Sequence, residues 1–225
     1  MTDDQVTLQR ERACQAAIKL YGKHGPSGIS LRPIAAELGY TAMALYRYFP
    51  GGKDDLLAAV RTLVFARLAD SQESAAKSTD DPKQRLFNLG NALVQFVEDE
   101  PNMYRLLFDP PQFEDGSCPE LDQQVLRGWT PLGNAVADAV EAGLLVGEPN
   151  ALASMFFACL HGVIALHLSG ESDPGKSLDA LVRPTMETLW RGSAPRSVAP
   201  ARIARALYTD EADPETVDKV VLNRI

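Results

Sequence analysis

Three cysteines, three histidines and two tryptophans occur in 225 residues. Cys14, Cys118 and Cys159 are too few for a disulfide-stapled secreted mini-domain, and they lie too far apart for metal-ligand spacing. Cys118 is the one thiol worth a redox test, and structural or incidental roles are expected of all three. There is no glycine-lysine phosphate loop, no dinucleotide glycine fingerprint and no His-Glu-x-x-His. Ser74-Ala75-Ala76-Lys77 has Ser-x-x-Lys spacing but none of its companion motifs, so it is read as chance. No catalytic residue, metal or cofactor is therefore expected. Val/Ile/Thr-rich alternation is also missing, which leaves a sheet without support. The chain opens Met1-Thr2-Asp3-Asp4, without a basic, apolar leader, so a reducing cytoplasm is the expected compartment.

Hydrophobic residues make up 45% and charged residues 23%, which excludes a wholly disordered or fibrous chain. One long apolar run, residues 151 to 168, is just long enough to span a bilayer. It contains Ser154, His161 and His167 and is flanked by Glu148 and Glu171 rather than Lys or Arg. The expectation is a helix buried on all sides in the protein, not a membrane span.

Net charge is -8 and unevenly placed. Residues 1 to 60 hold seven Lys/Arg against six Asp/Glu, and the remainder holds fifteen against twenty-four. A body of net charge -9 repels a polyanion, so any contact with nucleic acid must come from the N-terminal piece. Ordinary scatter would give a similar imbalance.

Punctuation predicts helices throughout. Ala13, Ala16, Ala17 and Leu20 recur at helical spacing, closed by Gly22 and Gly25. Ser30 is placed to cap a short helix, with Pro33 tolerated in its first turn and Gly39 at its end. Thr41 caps a third helix over about residues 42 to 48, which Pro50-Gly51-Gly52 breaks. A long helix follows, with Leu56, Leu57, Val60, Leu63, Val64 and Leu68 on one face. Asp81-Pro82 starts another, striped by Leu86, Leu89, Leu93, Phe96 and Val97. Residues 103 to 108 make a short apolar turn or helix, and residues 109 to 119 a loop. The stripe from Leu121 to Val140 holds Thr130-Pro131, which means either a kink or a fresh helix start. Helices over about 149 to 168 and 178 to 191 complete the body. Beyond Gly192, two short amphipathic pieces, around Ile203 to Leu207 and Val217 to Leu222, are possible.

Two short helices joined by Gly39-Tyr40-Thr41 have the dimensions of a helix-turn-helix. An ordinary helical corner has them too. Ile34, Ala35, Leu38, Leu45 and Phe49 form the inward set, and Ala42, Met43, Ala44, Arg47 and Tyr48 face out. In that motif the second helix enters the major groove. Small Ala42 and Ala44 permit close approach, and methyl-bearing side chains pack on thymine methyls. Arg47 suits a guanine or a phosphate, and Tyr46, Tyr48 and Lys53 suit phosphates.

The identities Ala17, Leu20, Gly22, Gly25, Ile34-Ala35, Leu38-Gly39, Leu45-Tyr46-Arg47-Tyr48-Phe49, Lys53, Leu56-Leu57 and Val60 together resemble the N-terminal domain of TetR-type transcriptional regulators. The likeness covers about one fifth of the chain and fixes many identities at set spacing. It implies DNA contacts at Leu31, Arg32, Thr41, Ala42, Met43, Ala44, Tyr46, Tyr48 and Lys53. One departure stands out: the family usually has two residues between the aromatic and the lysine, and Pro50-Gly51-Gly52 makes three. Downstream, Glu141-Ala142-Gly143-Leu144-Leu145, Glu148-Pro149 and the run from His161 to Leu166 resemble the C-terminal domain type named for a Trp-His-Gly motif. Leu160-His161-Gly162 lacks its tryptophan.

The resemblance implies an all-α fold with three parts. Residues 1–67 form a helix-turn-helix head, 68–192 a helical effector-binding and dimerisation body, and 193–225 an extension of unassigned role. It also implies double-stranded operator DNA as partner, a small-molecule effector, a homodimer through the last two body helices, and repression relieved by ligand. Met103, Tyr104, Phe108, Trp129, Met155, Phe157 and His161 are the candidate effector-site residues; the first six are equally readable as core, and His161 reads more readily as a buried histidine satisfied by a backbone or side-chain partner. The competing class is a helical small-molecule-binding protein or enzyme whose helix-turn-helix corner is not used on DNA.

Overall fold

Local chemistry sets the helix ends seen in the computed structural model, which describes residues 3–108, 118–172 and 175–195. The elements are α1 (Asp3–His24), α2 (Leu31–Leu38), α3 (Ala42–Tyr46), α4 (Lys53–Ala76), α5 (Pro82–Asp99), α6 (Pro101–Phe108), α7 (Pro119–Glu141), α8 (Pro149–Ser169) and α9 (Leu178–Ser193). No strand occurs among the described residues, so the fold is all-α. Described residues up to Ser193 form one compact unit by their contacts. Residues 109–117 of the expected loop, and both possible tail helices, lie outside the described residues.

Thr41, Asp81 and Glu148 make side-chain cap bonds, whereas Ser30, expected to cap α2, makes none. Thr41 Oγ1 accepts from the Ala44 amide at 3.3 Å, and Asp81 Oδ1 accepts from the Gln84 amide at 2.7 Å. Glu148 accepts from the amides of Asn150 and Ala151, and these bonds hold its carboxyl below the usual range. Gly39 closes α2 at φ 72°, a conformation that a side chain resists. α3 is shorter than expected, ending at Tyr46. The amides of Tyr48 and Phe49 still bond back to the Leu45 carbonyl, so a tight turn replaces its last residues. α7 continues through Pro131 without a fresh start.

α1 to α3 pack around Ile34, Ala35, Leu45 and Phe49, all at or near zero exposure, together with Leu56 and Val60 of α4. Leu38, expected in this set, is only partly buried. α4 runs straight through residue 67, so the head and the body share one helix. It packs on α1 at one end and on α5 and α7 at the other. Leu45→Ala is expected to lower unfolding free energy by about 2–5 kcal/mol, because it leaves a cavity in a core with little room to collapse. Denaturant melts followed by circular dichroism measure this.

α8 corrects an expectation. It is not buried on all sides: only 28% of its most apolar window is covered by this chain. Leu152, Ala153, Phe156, Leu160 and Ile164 face the core, while Ala151, Ser154, Ala158, Ala165 and Leu166 face outward. The apolar run thus serves two faces. One is packed on α7 and α9 and the other is exposed among the described residues. Among the described residues it is the one helix long and apolar enough to cross a membrane by length and composition.

Candidate nucleic-acid interface and internal cavity

The head presents a compact polar and apolar tip. Met43, in the first turn of α3, is 76% exposed, and Tyr46, its last residue, is 48% exposed. Arg32, Thr41 and Arg47 are also exposed, and Ala42, Ala44, Tyr48 and Lys53 are half-buried around them. Neither Arg32 nor Arg47 makes a hydrogen bond or ion pair among the described residues, so both cations remain available.

Leu31 corrects another expectation. It is 6% exposed and packs in the core, so its side chain cannot meet DNA. Leu31 and Arg32 open the same helix about 100° apart, and the packing of α2 on α1 turns the leucine in and the arginine out.

The inserted glycine has a geometric use. Gly52 caps α4 at φ 74°, in the region that favours glycine, and its amide donates to the Phe49 carbonyl at 2.9 Å. The Gly51 amide donates to Asp55 Oδ2 at 2.9 Å. Together they reverse the chain and make Lys53 the first residue of α4, beside the tip.

Arg10, which sequence reasoning missed, braces the tip from behind. Its guanidinium lies over the Phe49 ring, 4.8 Å from the centroid, and donates to the Tyr48 carbonyl. Nearby, Tyr40 donates to Gln9 Oε1 at 3.0 Å, tying the α2–α3 turn to α1. No motif signals these contacts, which join residues more than thirty positions apart.

The body holds a partly open cavity of about 60 Å³ between α4, α5, α6, α7, α8 and α9. Phe108, Trp129 and Phe157, three of the candidate effector residues, line it, as do Phe65, Leu68 and Gln72 of α4. Tyr104 and His161 stand beside the aromatic wall. The His161 ring stacks on Phe157 at 5.5 Å between centroids, and its Nδ1 lies 2.8 Å from the Tyr104 hydroxyl. Burial lowers the His161 pKa and raises that of Tyr104. Both groups are therefore neutral near pH 7.

Met103, Tyr104, Met155 and His161 do not line the cavity, which corrects their placement. Met103 is buried elsewhere, its sulfur 3.7 Å from Arg67 Nη1. Met155 is partly buried against the core. Their side chains sit on faces of α6 and α8 that the stripe alone did not distinguish. Leu86, Leu89 and Leu93 line the cavity instead. A lining leucine and a packed leucine read alike in sequence.

Outside the cavity, α7 is pinned to α4. Arg127 donates to Asp70 Oδ1 and Glu73 Oε1, both at 2.7 Å, and these bonds hold the Glu73 carboxyl below the usual range. Arg85 of α5 pairs with Asp138 of α7. Among the described residues no group of three or more His, Cys, Asp or Glu is placed to hold a metal ion. Cys14 is buried, and burial pushes its thiol up to about 11. Cys118 is partly exposed, its sulfur 3.6 Å from Glu120 Oε2.

Comparison with known proteins agrees with this geometry. The family model for "Bacterial regulatory proteins, tetR family" matches residues 14–60. That for "Tetracyclin repressor-like, C-terminal domain" matches residues 86–189. An HTH-type transcriptional regulator of Mycobacterium tuberculosis is 29% identical over 127 residues, 56% of this chain and 53% of that protein. The chain thus spans about half the length of the curated relatives it matches. The HTH-type transcriptional repressor DrrR1 of Streptomyces coeruleorubidus is 47% identical over 51 residues, 23% of this chain and 18% of that protein. A solved structure from Rhodococcus sp. RHA1, described as a protein with unknown function, superposes with a TM-score of 0.72 at 26% identity. That superposition covers 83% of this chain and 95% of the other. With one family model on the head, another on the body and the same all-α architecture, the chain belongs to the TetR family of bacterial regulatory proteins.

Proposed function

We propose that the protein is a DNA-binding transcriptional repressor that acts as a homodimer on a near-palindromic operator and is released by a small-molecule effector. The observation that carries this reading is the tip of the head: exposed Met43 and Tyr46 flanked by the uncommitted cations Arg32 and Arg47, all held on a fully packed base. Met43 suits a thymine methyl, and Arg47 suits a guanine edge or a phosphate. One such helix reads only a few base pairs. Two of them, spaced roughly 34–36 Å apart by a two-fold axis, read both half-sites. The outward face of α8 supports the pairing, since it is apolar and small and bears no Asp, Glu, Lys or Arg.

α4 supplies the link between the two ends. Its first residue stands at the tip, and Phe65, Leu68 and Gln72 stand at the cavity. A ligand larger than the cavity must push apart the helices that line it. The Arg127 bonds to Asp70 and Glu73 make α4 follow α7. A coupling of about 1–3 kcal/mol between the two arrangements would change operator affinity roughly 5- to 150-fold.

Electrophoretic retardation of the DNA upstream of its own gene tests the reading. A retarded band is expected in low salt, with affinity falling steeply as salt rises, because phosphate contacts release counterions. A band absent at low salt counts against DNA binding. A band indifferent to salt counts against the cationic tip.

A further inference from the structure

We propose that the cavity selects an uncharged, predominantly apolar ligand bearing a neutral hydroxyl or carbonyl group, and rejects the carboxylate or ammonium of the same skeleton. The proposal rests on the effector reading above and names the ligand class of that site.

Among the described residues no side chain lining the cavity is ionisable; these walls are aliphatic and aromatic except for Gln72 and the Trp129 indole. A charge brought there would lose its water and gain no counter-charge. Two cations on neighbouring elements are committed elsewhere. Arg127 is held by Asp70 and Glu73, and Arg105 donates to the Leu168 carbonyl at 2.5 Å.

Two neutral hydrogen-bonding groups remain. Gln72 Nε2 donates to the Leu89 carbonyl at 3.3 Å, which leaves Oε1 as the acceptor on that wall. At the aromatic end, His161 is the hydroxyl partner of Tyr104, the only partner that hydroxyl has among the described residues. The buried hydroxyl therefore donates to Nδ1, and the neutral ring carries its proton on Nε2. Nε2–H is a donor with no partner among the described residues, next to Phe108 and Phe157. His161 stands beside the lining rather than in it, so a ligand hydroxyl or ketone accepts from Nε2–H once the wall of Phe108 and Phe157 has moved. Being neutral, the ring offers no charge to an anion.

The cavity must open to be used. At about 60 Å³ it is smaller than the roughly 150 Å³ that holds a benzene ring. Trp129 is 37% exposed and meets Phe157 edge to face at 4.2 Å, while the neighbouring Gly128 has nothing within 4 Å of an added Cβ. Trp129 is the wall that can swing outward, and its fluorescence reports entry.

The test uses the full chain at pH 7.5 with N-phenylnaphthylamine, an uncharged fluorescent probe. Competitors are decanol against decanoate and naphthol against naphthoate, which separates alkyl from aromatic ligands as well as neutral from charged ones. The probe is expected to bind, and each alcohol to displace it at least about ten-fold better than its carboxylate. Quenching of tryptophan emission should vanish in Trp129→Phe, which keeps Trp190. His161→Leu should weaken the alcohols by about ten-fold, and His161→Gln, which retains a neutral donor, should recover part of that loss. Absence of probe binding overturns the proposal. So does a carboxylate that competes as well as its alcohol, a comparison that needs no variant. Retardation of operator DNA, read on the same protein, fails or succeeds independently, so loss of DNA binding with the alcohol preference intact removes only the regulator reading.

Discussion

Replacing Gly162 by leucine is expected to convert the proposed dimer into a folded monomer. Gly162 sits within α8 and is not among the glycines with positive φ, so its backbone accepts a side chain without strain. An added Cβ there meets nothing within 4 Å among the described residues. The same helix should be slightly stabilised, since glycine is a poor helix former. Any penalty must therefore come from what a second copy places against this face. Ala151, Ser154, Ala158 and Ala165 share the outward side with it, and small side chains let two helices approach closely. A leucine inserted in such a crossing costs about 1–3 kcal/mol, and two-fold symmetry puts it in the interface twice. Dimer dissociation should rise by roughly two to four orders of magnitude, or about 2–6 kcal/mol. Sedimentation at several concentrations reads the change, and circular dichroism shows that the helices persist. A variant that stays dimeric moves the pairing surface off α8. DNA retardation should fall with dimerisation, because a lone head loses the second half-site.

Much of the fold was legible in the sequence where its signals are local. Thr41, Gly39 and Asp81-Pro82 act on residues within a turn of themselves, and their types fix what they do. Ile34, Ala35, Leu45 and Phe49 were read as inward from spacing, and their burial follows from the same 3.6-residue period. What failed to show depends on contacts far apart in the chain. Leu31 faces inward because of how α2 meets α1, which an eight-residue helix cannot announce. Hydropathy placed α8 inside the protein, but it does not say whether its second face is covered by its own chain. The Arg127 bonds to Asp70 and Glu73 span more than fifty residues. Polar residues on two amphipathic stripes give no sign that they will meet. The cavity was half found for a similar reason. The aromatic residues at one end stood out, whereas Leu86, Leu89 and Leu93 kept the appearance of ordinary core.

Arg47→Ala is expected to weaken operator binding by about 5- to 150-fold while leaving stability and dimerisation unchanged. Arg47 is exposed and has no hydrogen bond or ion pair within the described protein, so truncation removes nothing the fold uses. Its cost must then appear in the complex. The size of the loss follows from what the guanidinium would contact. A bidentate pair with a guanine is worth about 1–3 kcal/mol of discrimination. A phosphate contact acts uniformly across sequences and changes the salt slope by about one unit. Arg47→Lys separates the two, because lysine keeps the charge but not the planar fork. Near-normal binding by Arg47→Lys with an unchanged salt slope assigns Arg47 to a phosphate. A loss approaching that of alanine, confined to one position of the half-site, assigns it to a base. Arg32→Ala, one helix earlier and also uncommitted, should lower affinity without altering sequence preference, since the first helix of the motif crosses the backbone. If both alanine variants retard DNA as the parent does, the exposed tip is not the DNA-binding surface, and the apolar crown of Met43 and Tyr46 needs a different partner.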